Sequence, residues 1–487
     1  MNLADILHAS ASRHAHRPAV TDVRSGRSLT YDALAREAER VTAFLKSRGV
    51  ERGHRIALLS PNNLAYVPAA FGLLGAGACV VPVPVNLAPA EMAELLGDID
   101  VNGCVFSPGV ERAGGAAAAT SVAGGVCDGF TFQWRDREAP GPAALRAMDS
   151  AFIRFTSGTT AQCKGVVLSH AATAARVSAA DAVLRFSPDD RILWVLPLAY
   201  HFAVTIVAYV KAGAHILMCP DTLPHTIVDS MRRLEATVLY ASPFHFERLG
   251  RIERSGPLES IRLALSTSAP IAPAVMARFE SSYGVPVAQA YGIIEAGLPC
   301  INVRNGDSPA TSVGRPVPGY EVAVFSDEGA PLRAGEAGEI GVRGAGLFSA
   351  YYAPWQPRDA VTRDGWFLTG DIGRLDEGGS LLLEGRKKSV IFVAGVKFFP
   401  DEVEACINAF PGVLESRVVG EPHPRLGQVP RAEVVLTDAG CDVDALKAHC
   451  ARALSTYKVP LEFTVVPAIA RTPGGKILRR APAEVAG

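Results

Sequence analysis

The sequence predicts an α/β fold, with a large N-terminal domain at residues 1–385 and a small α+β C-terminal domain at residues 386–487. The large domain is expected to hold wound, parallel-type sheets plus a small β region. Three observations carry this. Short apolar runs alternate with helix-period stretches through the first 150 residues and again after the middle of the chain, the pattern of strands joined by crossover helices. The composition changes at Gly385-Arg386-Lys387-Lys388, and the unit of about 100 residues beyond has strands and helices of its own. A chain of 487 residues also exceeds what one hydrophobic core ordinarily serves.

Element by element, Leu34, Ala38, Val41 and Leu45 recur at helical spacing, and Gly49 stops that helix. A strand is expected at 55–60, a helix at 63–77, a strand at 80–85, a helix at 91–99 and a strand at 103–107. Residues 114–129, rich in Gly and Ala, read as a loop. The run Phe152 to Phe155 reads as a buried strand, 166–168 as another, and Ser169 opens a helix. Strands are expected at 192–197, 215–219 and 238–241, with a helix at 227–234. The small β region lies around 338–344. The C-terminal unit should hold helices at 400–408 and 443–454 and strands at 416–420 and 431–437. Residues 193–210 approach membrane-spanning length, but Pro197 and His201 interrupt them and Gly213 breaks the helical pattern just beyond. They read as a buried strand and a buried helix, with no membrane span.

Charge and cysteine content narrow the function. Lys+Arg 48 against Asp+Glu 49 leaves a net charge of −1, so no global field recruits nucleic acid or an anionic membrane. Nine cysteines without a C-x-x-C pair, and no histidines at metal-ligand spacing, point to reduced thiols and a cytoplasmic setting. The first residues, Met-Asn-Leu-Ala-Asp, lack the basic-then-apolar pattern of a secretion signal.

Between the two apolar runs stand Thr156-Ser157-Gly158-Thr159-Thr160-Ala161-Gln162-Cys163-Lys164-Gly165. Small residues let backbone N–H groups close on an anion, hydroxyls add donors, and Lys164 adds charge. This loop is suited to gripping polyphosphate. It is not a Walker P-loop, which needs Gly immediately before the Lys; Cys163 stands there and Gly165 comes after. It resembles the phosphate loop of the adenylate-forming (AMP-binding) superfamily of acyl-CoA synthetases, aryl-CoA ligases, peptide-synthetase adenylation domains and luciferases. Ala161 and Cys163 replace the Gly and Pro of the usual T-S-G-T-T-G-x-P-K-G. The resemblance implies that Thr156, Ser157, Gly158, Thr159, Thr160 and Lys164 bind ATP, with Thr156 also catalytic.

Four further stretches match in the family's order, so the resemblance reaches from about Leu29 to Arg480. Gln289-Ala290-Tyr291-Gly292-Ile293-Ile294-Glu295 resembles Y-G-x-T-E. This implies that Tyr291 stacks on adenine beside Gly292 and that Glu295 holds Mg²⁺, a hard cation that favours carboxylate oxygens. Ile294 stands where a Thr usually donates to the α-phosphate, and with Ala290 it is assigned to the acid pocket. Trp366-Phe367-Leu368-Thr369-Gly370-Asp371 resembles W-x-x-T-G-D, whose Asp accepts the ribose hydroxyls. Arg386 would add a ribose or phosphate contact, and Lys388 falls at the family's hinge. Arg471-Thr472-Pro473-Gly474-Gly475-Lys476-Ile477 resembles P-R-T-x-x-G-K-I. There Lys476 bridges the reacting carboxylate and the α-phosphate, where two anions meet and a fixed cation offsets transition-state charge. Ser266-Thr267-Ser268-Ala269-Pro270 resembles the adenine-side G-A-A-P strand; Ala269 and Pro270 fall to the nucleotide, and Thr267, in place of a Gly, to the acyl channel. His201 matches the family's gate beside the acyl pocket. A gate and a buried His with a backbone partner both fit it.

Residues 192–218 contain no acid. Amino-acid-activating relatives usually place an Asp there for the substrate ammonium, and an unpaired buried ammonium is costly. An acid with an uncharged tail, aliphatic or aryl, is therefore expected. The resemblance implies acyl-AMP formation from acid and ATP. The mobile C-terminal lid then turns about Lys388, withdraws Lys476 and presents the face near Gly395 to a thiol, either coenzyme A or the phosphopantetheine of an acyl carrier protein. An amide-forming synthetase and, given Ala161, Cys163 and Ile294, a degenerate nucleotide-binding protein stand as alternatives.

Overall fold

The computed structural model describes residues 2–87, 89–110, 120–135, 142–155, 165–219, 223–252, 256–306, 308–393, 396–437, 441–471 and 477–478. Two nine-stranded sheets form the bulk of the molecule. The first runs Arg315–Pro316, Gly297–Asn302, Val287–Ile293, Leu263–Ser266, Val238–Ala241, Arg191–Trp194, His215–Met218, Pro18–Asp22, Ser28–Thr30. Its inner strands, from Val287–Ile293 to Pro18–Asp22, are parallel neighbours. Helices cover a parallel sheet on both faces, so its strands read as continuous apolar runs rather than alternating ones. Ile192, Leu193 and Trp194 are all buried in this way.

The second sheet runs Gln356–Pro357, Ala350–Tyr351, Gly165–Ser169, Ser150–Phe155, Cys79–Val83, Arg55–Leu59, Gly103–Phe106, Thr131–Trp134, Thr120–Ser121. Its centre is parallel and its edges antiparallel. The Gly/Ala-rich stretch read as loop therefore contributes an edge strand, Thr120–Ser121, which pairs with Thr131 and Phe132. Two residues are too short to leave a periodic signal. The strand expected to reach Pro197 stops at Trp194, and Pro197 precedes the short helix Leu198–His201.

Helix Tyr31–Ser47 opens where the Thr30 hydroxyl accepts from the Ala33 N–H at 3.2 Å. Its buried face, Leu34, Ala38, Val41 and Leu45, meets helix Tyr66–Gly75. The helices approach closely because Gly72 has no side chain; a Cβ there would sit 2.6 Å from Val41.

An antiparallel four-stranded sheet, Tyr320–Phe325, Gly338–Gly344, Phe367–Leu375 and Leu381–Arg386, supplies the small β region. Arg386 closes its last strand. Beyond a 3₁₀ turn at Lys387–Ser389, a separate core gathers Ile391, Phe398, Val403, Ile407, Val418, Ala432, Val434 and Leu446. That core packs helices Pro400–Asn408 and Val443–Ala453 on a sheet built around Val413–His423 and Gly427–Leu436. Among the described residues, no helix is long and apolar enough to cross a membrane.

Candidate active site

A cleft of about 2200 Å³ opens between the large domain and the C-terminal unit. It lies beyond the carboxyl ends of the parallel strands Val238–Ala241, Leu263–Ser266 and Val287–Ile293, where open α/β sheets bind ligands.

Val287–Ile293 turns back on Gly297–Asn302, so Glu295 sits in the turn of a hairpin. Gly292 lies at the bulge of this pair; a Cβ there would come 2.8 Å from Leu298 Cδ2 and 3.2 Å from the Gly297 carbonyl. Tyr291 is buried, and its hydroxyl donates to Asp371 Oδ2 at 2.7 Å. Burial and the adjacent Asp371 carboxylate hold the Tyr291 phenol well above its usual value. The other oxygen, Asp371 Oδ1, lies 3.0 Å from Arg386 Nε. Asp371 and Arg386 are direct partners in the register of adjacent strands, which fixes the ion pair, and the Asp371 N–H donates to the Thr369 hydroxyl at 3.1 Å. Three residues read from separate stretches thus form one network on the cleft wall.

The Glu295 turn is held from behind by a residue the sequence reading passes over. Arg176, on helix His170–Leu184, is 1% exposed. Its Nη1 donates to the Ile294 carbonyl at 3.0 Å, its Nη2 to the Glu295 carbonyl at 3.1 Å, and its Nε to the Gly346 carbonyl at 3.0 Å. The Phe348 N–H also donates to the Glu295 carbonyl, at 2.7 Å. The Glu295 side chain lines the cleft, with Oε1 accepting from the Tyr351 hydroxyl at 2.9 Å. No group of three His, Cys, Asp or Glu gathers among the described residues. A single fixed carboxylate suits Mg²⁺, which completes its shell with water and substrate phosphate oxygens.

A second part of the lining, at Tyr240 and His201, is aromatic. Tyr240 stacks on Trp194 at 5.5 Å between centroids, and His201 meets both edge-on, at 5.7 Å from Trp194 and 6.2 Å from Tyr240. His201 is half-buried, lines the cleft and ends the helix Leu198–His201. A π-helical turn, Phe202–Ile206, comes next, in which the Val207 N–H reaches back to the Phe202 carbonyl. Asn62 pins this segment, donating to the Leu196 carbonyl and accepting from the Leu198 N–H, each at 2.8 Å. Thr267 is 4% exposed, with its N–H donating to the Ala241 carbonyl at 3.1 Å. Ser268 takes φ +79°, and Ala269 and Pro270 stand exposed at the rim. Ala290 is buried at the wall, and Ile294 both lines the cleft and packs on the main core.

Arg154 is the second residue missed. Reading 152–155 as one apolar run hides it, although an Arg in an otherwise apolar buried strand is itself a signal. It is 6% exposed, yet its side chain lines the cleft. Burial first, and then the Arg176 charge, lower its pKa to about 10 against the opposing pull of Tyr66, Tyr240 and Glu295.

Thr156, Ser157, Gly158, Thr159, Thr160, Lys164, Gly395 and Lys476 lie outside the described residues, as does the Lys388 side chain. Their described neighbours are at the cleft or beside it. Phe155, Arg471 and Ile477 line it, Arg471 lies 5.7 Å from the Phe244 ring of the large domain, and Lys387 pairs with Asp327 and Glu339 at 3.0 Å each.

The AMP-binding enzyme family matches residues 7–352, and the AMP-binding enzyme C-terminal domain matches 402–476. The chain is 30% identical to a sulfoacetate–CoA ligase of Cupriavidus necator, over 98% of this chain and 96% of that one. It is 29% identical to a long-chain-fatty-acid–CoA ligase of Yersinia pestis, over 98% and 93%. ATP-bound MatB from Rhodopseudomonas palustris superposes with a TM-score of 0.84 at 26% identity, over 98% of this chain and 97% of that one. With both halves matched and the cleft lying between them, the chain belongs to the AMP-binding enzymes.

Proposed function

We propose that this protein is an AMP-forming acid–thiol ligase, which joins an aliphatic or aryl carboxylic acid to ATP and passes the acyl group to a thiol. The observation that carries it is the single network Tyr291–Asp371–Arg386 beside the clamped Glu295 turn, in the cleft where the ends of the Lys476 loop also lie. Tyr291 and Gly292 form the adenine floor. Asp371 accepts from the ribose hydroxyls, and Arg386 keeps the Asp371 carboxylate aimed. Thr156–Thr160 and Lys164 hold the phosphates.

A carboxylate oxygen of the acid attacks the α-phosphorus, and the bond from that phosphorus to the bridging α–β oxygen breaks. The products are acyl-AMP and pyrophosphate. Lys476 offsets the charge of the meeting anions. Mg²⁺, when bound at Glu295, supplies further neutralisation of the phosphates. The C-terminal unit, from residue 386 on, then turns about Lys388, and a thiolate attacks the acyl carbon with AMP leaving. Coenzyme A is the favoured acceptor because the relatives' names specify it; a carrier-protein phosphopantetheine offers the same thiol. We keep the cytoplasm as the compartment.

Acid-dependent pyrophosphate release over a panel of acids tests the first half. A chain that binds ATP but releases none with any acid would revert to the nucleotide-binding alternative. Product analysis with coenzyme A, a loaded carrier protein and simple amines assigns the acceptor, and amide as the sole product would overturn the thiol step.

A further inference from the structure

The relatives' names point to chemically unlike acids, so the choice of acid has to be sought in this chain's own pocket. Arg154, the penultimate residue of the strand Ser150–Phe155, lines the cleft with nearly all of its surface buried. Among the described residues its guanidinium makes no hydrogen bond and no ion pair. Glu295 and the Tyr66 and Tyr240 hydroxyls are near enough to act on its charge, but no Glu295 oxygen comes within ion-pair distance. The Tyr66 hydroxyl is also buried without a partner. Burying a guanidinium is expensive unless an anion meets it. Its planar fork matches a carboxylate or related oxyanion through two parallel hydrogen bonds.

We propose that Arg154 is a subsite for a second anionic group on the acid, so that the substrate is a short diacid with one carboxylate to react and one oxyanion held at Arg154. This rests on the acid-activation reading above and replaces the uncharged tail expected from sequence. The acid-free run 192–218 argues against an α-amino acid, but it suits an anionic tail as well as a neutral one. Tyr240 ties the position to the acyl side, since it stacks on Trp194 in the same wall as His201.

The test compares succinate, glutarate and adipate with butyrate, pentanoate and hexanoate, and adds 3-sulfopropionate to separate a carboxylate from a sulfonate. Pyrophosphate release and calorimetric binding of the acid alone are both read. The wild type should favour a diacid over its length-matched monoacid by about ten- to a hundredfold in kcat/KM, the scale of a hydrogen bond to a charged group. Arg154→Met should bring that ratio near one. Arg154→Lys, which keeps the charge without the fork, should leave a ratio of several-fold. Arg154→Met should melt no lower than the wild type, because it removes a buried unpaired charge.

A ratio unchanged in both variants, or a wild type that prefers monoacids, overturns the subsite. A rise in the KM for ATP with the ratio kept also overturns it, placing Arg154 on the nucleotide. The two readings fail separately. Diacid binding that depends on Arg154, without pyrophosphate release, sinks the activity and keeps the subsite; release with monoacids that is indifferent to Arg154 does the reverse.

Discussion

The two walls of the cleft are built on opposite principles. On the nucleotide side, the polar groups that would meet ATP already have partners: Tyr291 on Asp371, Asp371 on Arg386, the Glu295 turn on Arg176. On the acid side, two polar groups that line the cleft have no partner among the described residues, the buried Ser266 hydroxyl and the Arg154 guanidinium. A wall that serves one invariant ligand can be fixed in advance, which lowers the ordering cost of binding. A wall that selects among acids has to leave its polar groups unsatisfied until the right one arrives, and unpaired groups then reject the wrong one.

The largest expected effect belongs to neither wall but to Lys476. Lys476→Ala should slow acyl-AMP formation by about 10² or more, since a fixed charge of this kind is commonly worth about 3–4 kcal/mol. Thioester formation from supplied acyl-AMP should survive. Equal loss in both half-reactions would undo the assignment of the lysine to adenylation alone.

Next comes the support behind the nucleotide wall. Arg176→Met orphans the Ile294 and Gly346 carbonyls, leaves the Glu295 carbonyl with only the Phe348 N–H, and relieves a buried charge; it should lower stability by about 2–4 kcal/mol. If Arg176 also positions Glu295, the Mg²⁺ concentration needed for half-maximal activity should rise several-fold. A drop in melting temperature with an unaltered Mg²⁺ requirement would leave Arg176 as fold support alone.

Asp371→Asn should raise the KM for ATP by about ten- to a hundredfold, because it weakens charge-assisted hydrogen bonds worth about 1.5–3 kcal/mol. The preference among acids should stay put. Any shift in that preference would break the separation of the two walls.

Ile294→Thr is the smallest and the sharpest, since Ile294 lies where the walls meet. It should redistribute kcat/KM among short, long and aryl acids by about 1–2 kcal/mol, the scale of one methylene or so in a pocket. A uniform change for every acid would assign the position to the α-phosphate instead.

Legibility in the sequence divides along the same line. Tyr291, Glu295, Asp371 and Arg386, which the structure brings to one cleft, were readable because each sits in a contiguous stretch that resembles a family motif. The inner strands were readable because burial on both faces leaves unbroken apolar runs. Arg154 and Arg176 were not. One is masked by the apolar strand that carries it, and the other acts on carbonyls 118, 119 and 170 residues away in the chain. Nor could the pairing of Pro18–Asp22 with His215–Met218 be read, because nothing local in either strand names its neighbour.

The π-helical turn at Phe202–Ile206 has a consequence for how the acid wall can change over time. Such a turn holds one residue more than an α-helical turn would, and these turns recur at functional sites. Each residue of an α-helix advances the chain by about 100°. A single-codon deletion here would therefore straighten the segment and swing His201 away from Trp194 and Tyr240, leaving the core helix Val207–Ala212 in place. The phase of the acid wall is thus set by chain length as well as by residue identity. Relatives that differ by one residue in this turn would present different side chains to their acids even where every flanking residue is the same.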